Sequence, residues 1–168
     1  SSSSILCRSL VLGSDRSVTA VSAISHVDAE GARNNLRSEG MTGGRLLRFD
    51  EMRARAQKAW DNELSSVRVH GGGRDDRVVF YTALYHALLQ PMTGNDADGR
   101  YRGYDDLIHR ADGWTYYEYF SLWDTYRSQN QLIALLRPQR AMDIARSLLA
   151  IDQQGGWLPR WGYASFET

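Results

Sequence analysis

Arg74-Asp75-Asp76-Arg77-Val78-Val79-Phe80-Tyr81-Thr82-Ala83-Leu84-Tyr85-His86-Ala87-Leu88-Leu89-Gln90 is the stretch that decides the fold class. From Val78 to Leu89 only Thr82 and His86 interrupt the apolar residues, so a helix here is apolar on nearly every face. Such a helix is covered on all sides, as the inner member of a layered helical fold. His86 then reads as a hydrogen-bonded core histidine, and Pro91 ends the helix because it has no N–H to donate.

Outward from this stretch the chain stays helical. Phe49, Met52, Ala56, Trp60 and Leu64 recur at three- and four-residue steps with Arg53, Arg55, Lys58 and Asp61 between them, which predicts an amphipathic helix over 49–65. Asp28 offers an N-cap for a shorter helix ending near Glu39, with Gly40 as its stop. Val67-Arg68-Val69 is strand-like, and Gly71-Gly72-Gly73 breaks the chain after it. Downstream, Leu122, Tyr126, Gln129, Ile133 and Leu136 mark one face of a helix over 122–137. Pro138 opens the next helix at a favourable first-turn position. Met142, Ala145, Leu148 and Leu149 give that helix its buried stripe, and Gly155-Gly156 stops it. Residues 91–113, with five Asp, four Gly and two Tyr, read as a long irregular excursion. Val18 to Ile24 alternates like a strand, but a lone strand cannot pair its own edges. Ser1 to Ser17 carries no period and reads as an unstructured leader. No internal repeat is visible.

Composition narrows the function. The chain has 168 residues, 42% of them hydrophobic and 24% charged, and twenty basic residues balance twenty acidic ones. No basic field is available to attract nucleic acid. No apolar run approaches the ~18 residues that span a bilayer. Ser1 to Leu12 lacks the basic and apolar regions of a signal peptide. Cys7 is the sole cysteine, which excludes an internal disulfide. Nineteen of the twenty basic residues are arginine, a bias of genome composition rather than of function.

Several motifs have bland readings. Asn95-Asp96-Ala97-Asp98-Gly99 lacks the ligand spacing and the closing glutamate of an EF-hand, and reads as a turn shaped by Asx side chains. His26, His70, His86 and His109 have no zinc spacing, and Ser4, Ser25 and Ser121 have no nucleophile-elbow context. The richest segment is Trp114 to Tyr126, with seven aromatics; Trp157, Trp161, Tyr163 and Phe166 form a second cluster. A packed core accounts for most of these rings, with Asp124 pairing Arg127. Sugar recognition needs only one or two of them: an indole face packs on the C–H patch of a pyranose while a neighbouring carboxylate accepts from paired hydroxyls. From aromatic abundance alone the two readings stand level.

Four ordered strings carry a resemblance. Phe80-Tyr81-Thr82-Ala83-Leu84-Tyr85-His86, Asp96-Ala97-Asp98-Gly99-Arg100-Tyr101, Phe120-Ser121-Leu122-Trp123-Asp124-Thr125-Tyr126-Arg127 and Gln154-Gly155-Gly156-Trp157-Leu158-Pro159-Arg160-Trp161 resemble glycoside hydrolase family 92, the calcium-dependent exo-α-mannosidases. The resemblance runs from about Val18 to Thr168. It implies a mainly α chain, the opening part of an (α/α)6 barrel with a short strand remnant of an N-terminal β-sandwich. Residues 1–17 would be an unmatched leader, 18–26 the last sandwich strand, 27–73 linker helices and 74–168 the start of the catalytic barrel. It implies a fragment of an enzyme that removes terminal α-linked mannose from glycans with inversion, secreted or periplasmic in the parent protein. Trp123 and Asp124 match residues of the mannose pocket. The family's catalytic acid, its base and its Ca2+ ligands match no position here and are expected beyond Thr168, so the chain alone is expected to be inactive. Glu167 receives no role. The alternative readings are a non-catalytic helical carbohydrate-binding module and a helical scaffold whose aromatics are all core. Another (α/α)6 glycosidase fits the Ser-Leu-Trp-Asp-Thr and Gly-Gly-Trp-Leu-Pro strings less well.

Overall fold

The computed structural model describes residues 20–163 and 166–167. The leader of residues 1–17 and Val18 lie outside them. The chain is mainly α: helices α1 (Ala29–Gly40), α2 (Phe49–Leu64), α3 (Arg74–Leu88), α4 (Leu122–Thr125), α5 (Gln129–Leu136) and α6 (Pro138–Gly155) carry the fold. The strands are short: β1 (Met41–Thr42), β2 (Arg45–Leu46), β3 (Met92–Thr93), β4 (Arg100–Arg102), β5 (Ile108–Arg110), β6 (Tyr117–Glu118), β7 (Gly162–Tyr163) and β8 (Phe166–Glu167). They pair antiparallel two by two, β1 with β2, β4 with β5 and β7 with β8 as local hairpins, and β3 with β6 across the excursion.

Helix starts follow local chemistry. The Gly31 N–H donates to Asp28 Oδ1 at 2.6 Å, so Asp28 is the N-cap of α1. Glu51 and Asp76, each at the third position of its helix, accept from the N–H of Arg48 and of Gly73, both at 2.8 Å. Pro138 occupies the first turn of α6, and Gly156 closes it in the left-handed conformation. The C-termini of α2 and α3 are closed by side chains from later helices instead. Arg137 donates to Glu63 O at 3.1 Å and to the Glu63 carboxylate at 3.0 Å. Gln129 donates to Ala87 O and Gln90 O at 3.1 Å, and Arg140 to Leu88 O at 3.1 Å and Pro91 O at 3.3 Å. Terminal carbonyls with no helical partner are thereby satisfied.

Two cores result. In one, Leu84, Leu88 and Ile133 pack with Trp60, Leu64, Tyr81 and Leu136, joining α2, α3, α5 and α6. In the other, Tyr101, Ala111, Tyr116, Tyr117 and Phe120 pack on Ile151 of α6. Ile144 touches both clusters.

Several expectations are corrected. α3 is buried along one face only: Val79 is 69% exposed, and Val78 and Phe80 are also open, because the described helices cover it from a single side. His86 lies on the exposed part, not in a core. The stripe of α2 is covered only at its C-terminal end, by Trp60 and Leu64, with Phe49 and Met52 exposed. Val67–Val69 forms no strand; the Tyr81 hydroxyl takes up its backbone, donating to Val67 O at 3.1 Å and accepting from Val69 N at 3.4 Å. Ala20–Ile24, for which the sequence offers no partner strand, pairs with none among the described residues, and Val21 and Ala23 alternate inward against Ala20, Ser22 and Ile24. Residues 91–113 are ordered by the β4–β5 hairpin and by β3, not irregular throughout. The helix expected over 122–137 is two helices, because Ser128 turns left-handed at φ 59° between α4 and α5.

Candidate functional site

The aromatic segment divides between core and surface. Tyr116, Tyr117 and Phe120 are buried, and Trp114 and Tyr119 are partly so. Tyr116 stacks on Tyr101 with ring centroids 3.8 Å apart. Trp123, by contrast, is 70% exposed, and Tyr126 is also open.

The buried face of α6 holds this segment in place, and of the stripe expected to line it only Leu148 packs on the core. Asp143, Ser147 and Ile151 point inward, while Met142 and Leu149 are exposed. Two polar residues occupy the inner stripe because the incoming chain needs acceptors. The Tyr117 N–H donates to Ser147 Oγ at 2.8 Å and the Thr115 N–H to Asp143 Oδ2 at 3.2 Å; Ser147 in turn donates to Asp143 O at 2.7 Å. A buried N–H without such a partner is costly.

Beyond β6 the chain turns at Tyr119, left-handed at φ 61°, an uncommon conformation for a large side chain. Ser121 then caps the single turn of α4. Its carbonyl accepts from the Asp124 and Thr125 N–H groups, both at 3.0 Å, and its hydroxyl donates to Asp124 Oδ2. Asp124 Oδ1 accepts no hydrogen bond among the described residues. The expected Asp124–Arg127 pair does not form: Arg127 Nε donates to the Tyr126 hydroxyl at 2.6 Å, with the guanidinium 5.2 Å from that ring. Trp123 and Asp124 therefore sit together on an open turn, the indole outward and the carboxylate oriented by Ser121.

The second aromatic cluster meets the first. Ser121 forms a β-bridge with Trp161, and the Gly162 N–H donates to Phe120 O at 3.2 Å. The Arg160 guanidinium lies 4.9 Å from the Trp161 ring, which is itself exposed. Sequence reasoning singled out both clusters but missed their contact, because an isolated bridge leaves no periodic trace.

Residues 31–168 match the glycosyl hydrolase family 92 catalytic domain. The chain belongs to glycosyl hydrolase family 92. Three solved family 92 structures from Bacteroides thetaiotaomicron are similar to it. The alpha-mannosidase BT3965 is 38% identical with a TM-score of 0.77 over 85% of this chain and 19% of its own. The same enzyme in complex with mannoimidazole gives 37%, 0.77, 85% and 18%. The inverting mannosidase BT2199 gives 26%, 0.74, 85% and 19%. The chain thus spans about a fifth of the length of the family 92 structures it matches. No curated protein matches it. The catalytic domain of family 92 neighbours is an (α/α)6 barrel, in keeping with the mainly α chain seen here.

Among the described residues no group of three or more His, Cys, Asp or Glu is placed to hold a metal ion. The turn at Asn95–Gly99 is a hydrogen-bonded one. Its Asp96 carboxylate, 4% exposed, accepts from Ser25 at 2.6 Å and Asn35 at 2.8 Å. Asp98 accepts from the Arg100 N–H at 3.1 Å and its guanidinium at 2.8 Å, and these bonds hold its carboxyl below the usual range. Among the described residues no helix is long and apolar enough to cross a membrane. Among the described residues, a cavity of about 440 Å³ beside Ser25, Asn35 and Asp96 and one of about 400 Å³ between Ala87 and Leu135 are lined by neither Trp123 nor Asp124.

Proposed function

We propose that this chain is part of an enzyme that removes terminal α-linked mannose from glycans with inversion, and that Trp123 and Asp124 belong to its sugar-binding surface. The supporting observation is the exposed Trp123 indole beside an Asp124 carboxylate with one oxygen open, in a family 92 chain. The indole offers a flat apolar face to the C–H side of a pyranose, and Asp124 Oδ1 accepts from a hydroxyl. Ser121 fixes the carboxylate's direction, so the pair positions the sugar without transferring a proton. The acid and the base that activates water on the opposite face of an inverting site fall on no residue of this chain. Calcium dependence rests on the family resemblance alone, and no step here runs through the ion. The division into a sandwich strand at 18–26, linker helices at 27–73 and barrel at 74–168, and an extracytoplasmic location, belong to the same proposal.

The test is kinetic and uses the full-length protein with α-linked mannosides. Asp124→Ala is expected to lower kcat/KM by about 100-fold, the size of a lost hydrogen bond to a charged group plus its positioning. The melting temperature should barely move, since Asp124 is exposed. Unchanged kinetics with a large fall in melting temperature would return both residues to a structural role. NMR of the first product formed reads the anomer, and chelation followed by calcium return reads the metal. Binding of methyl α-mannoside without turnover would favour the non-catalytic module.

A further inference from the structure

The Glu118 carboxyl is 1% exposed, and neither of its oxygens has a hydrogen-bond partner among the described residues. Tyr116, fully enclosed, has an unpartnered hydroxyl as well. Side chains two apart share a face of a strand, so Tyr116 and Glu118 look one way and Tyr117 the other. On that opposite side α6 aims Arg140 at the Tyr117 ring, 5.6 Å away, and Asp143 at the Thr115 N–H. On the Glu118 side stand Met92, paired with Glu118 in register, and Gly94, neither of them charged, while Thr93 pairs with Tyr117 and shares its side. A Cβ on Gly94 would lie 2.6 Å from Glu118 Cγ and 3.1 Å from Tyr116 Cδ1, so only glycine lets the chain approach so closely. Asn95, the next residue, is neutral and accepts from the Tyr116 N–H at 2.9 Å. The Tyr116 phenol lies close enough to Glu118 that burial and then the Glu118 charge push it upward.

A carboxylate enclosed without donors or cations is strongly disfavoured against the neutral acid. Burial pushes the Glu118 carboxyl up to about 7. We propose that Glu118 is a pH-sensitive latch: as the neutral acid it lets β6 close on β3 across Gly94, and loss of its proton opens that strand pair. The folded value lies above the ordinary 4.5, so the stabilisation is complete below 4.5 and is lost as pH climbs to about 7 and beyond. Mild alkali loosens the stretch that leads through Tyr119 to Ser121.

Hydrogen exchange in the full-length protein tests this, read on peptides covering 91–95 and 115–119. After correction for the intrinsic rate, wild-type protection in these peptides should fall about tenfold between pH 6 and 8. Glu118→Gln and the apolar Glu118→Met should be flat over that range, and the wild-type melting temperature should fall more steeply with pH than theirs. The same pH response in variants and wild type overturns the latch. Should neither variant fold, the wild type decides alone: a step confined to the two peptides supports the latch, and uniform exchange overturns it. No sugar is needed, so the outcome is independent of the hydrolysis assay.

Discussion

At the scale of single residues, function and stability fall on different side chains of one short segment. Trp123→Ala removes the exposed indole and is expected to raise KM for a mannoside about tenfold or more, with little change in thermal stability; steady-state kinetics and a melt read the two. Ser147→Ala is the converse. It leaves the buried Tyr117 N–H without an acceptor and should cost about 1–3 kcal/mol, read by denaturant unfolding of the full-length protein. The Trp-Asp pair was legible as a string, and so was the likelihood that most rings are core. What stayed hidden was the polar lining of α6. Hydropathy scoring places Met142 and Leu149 inside, whereas Asp143 and Ser147 go inward because the backbone of Thr115 and Tyr117 needs acceptors there. That demand comes from residues about thirty positions away and has no local signature.

At the scale of elements, the helices with chemical punctuation were the readable ones. Asp28, Pro138 and Gly156 bound α1 and α6 as their residue types require, whereas Gly40 is the last helical residue of α1 and the extended Met41 closes it. The split between α4 and α5 was not readable, since Ser128 is an ordinary helix residue by type and its left-handed turn is imposed by Gln129 reaching the carbonyls of α3. Ser128→Gly should therefore stabilise by roughly 0.5–1 kcal/mol, through relief of the positive φ, and a small rise in melting temperature checks it. Gly31→Ala has the opposite sign. Its methyl would collide with the Asp96 carboxylate and Ser25, and the change should cost about 1–3 kcal/mol through overpacking.

At the scale of the whole molecule, the two cores leave much apolar surface open, including Val78, Val79, Phe80, Trp157 and Leu158. The 168-residue chain by itself is expected to bind a hydrophobic dye, melt broadly and show no mannosidase turnover with or without calcium. A sharp, reversible, monomeric melt or measurable turnover would contradict this. The Asp96 carboxylate has one more consequence, for the order in which the protein is made. It receives Ser25 from 71 residues back and Asn35 from 61 back. As a ribosome extrudes the chain, these two bonds to α1 and its leading segment cannot form until Asp96 clears the exit tunnel, so α1 completes its anchoring only after a much later turn has been made.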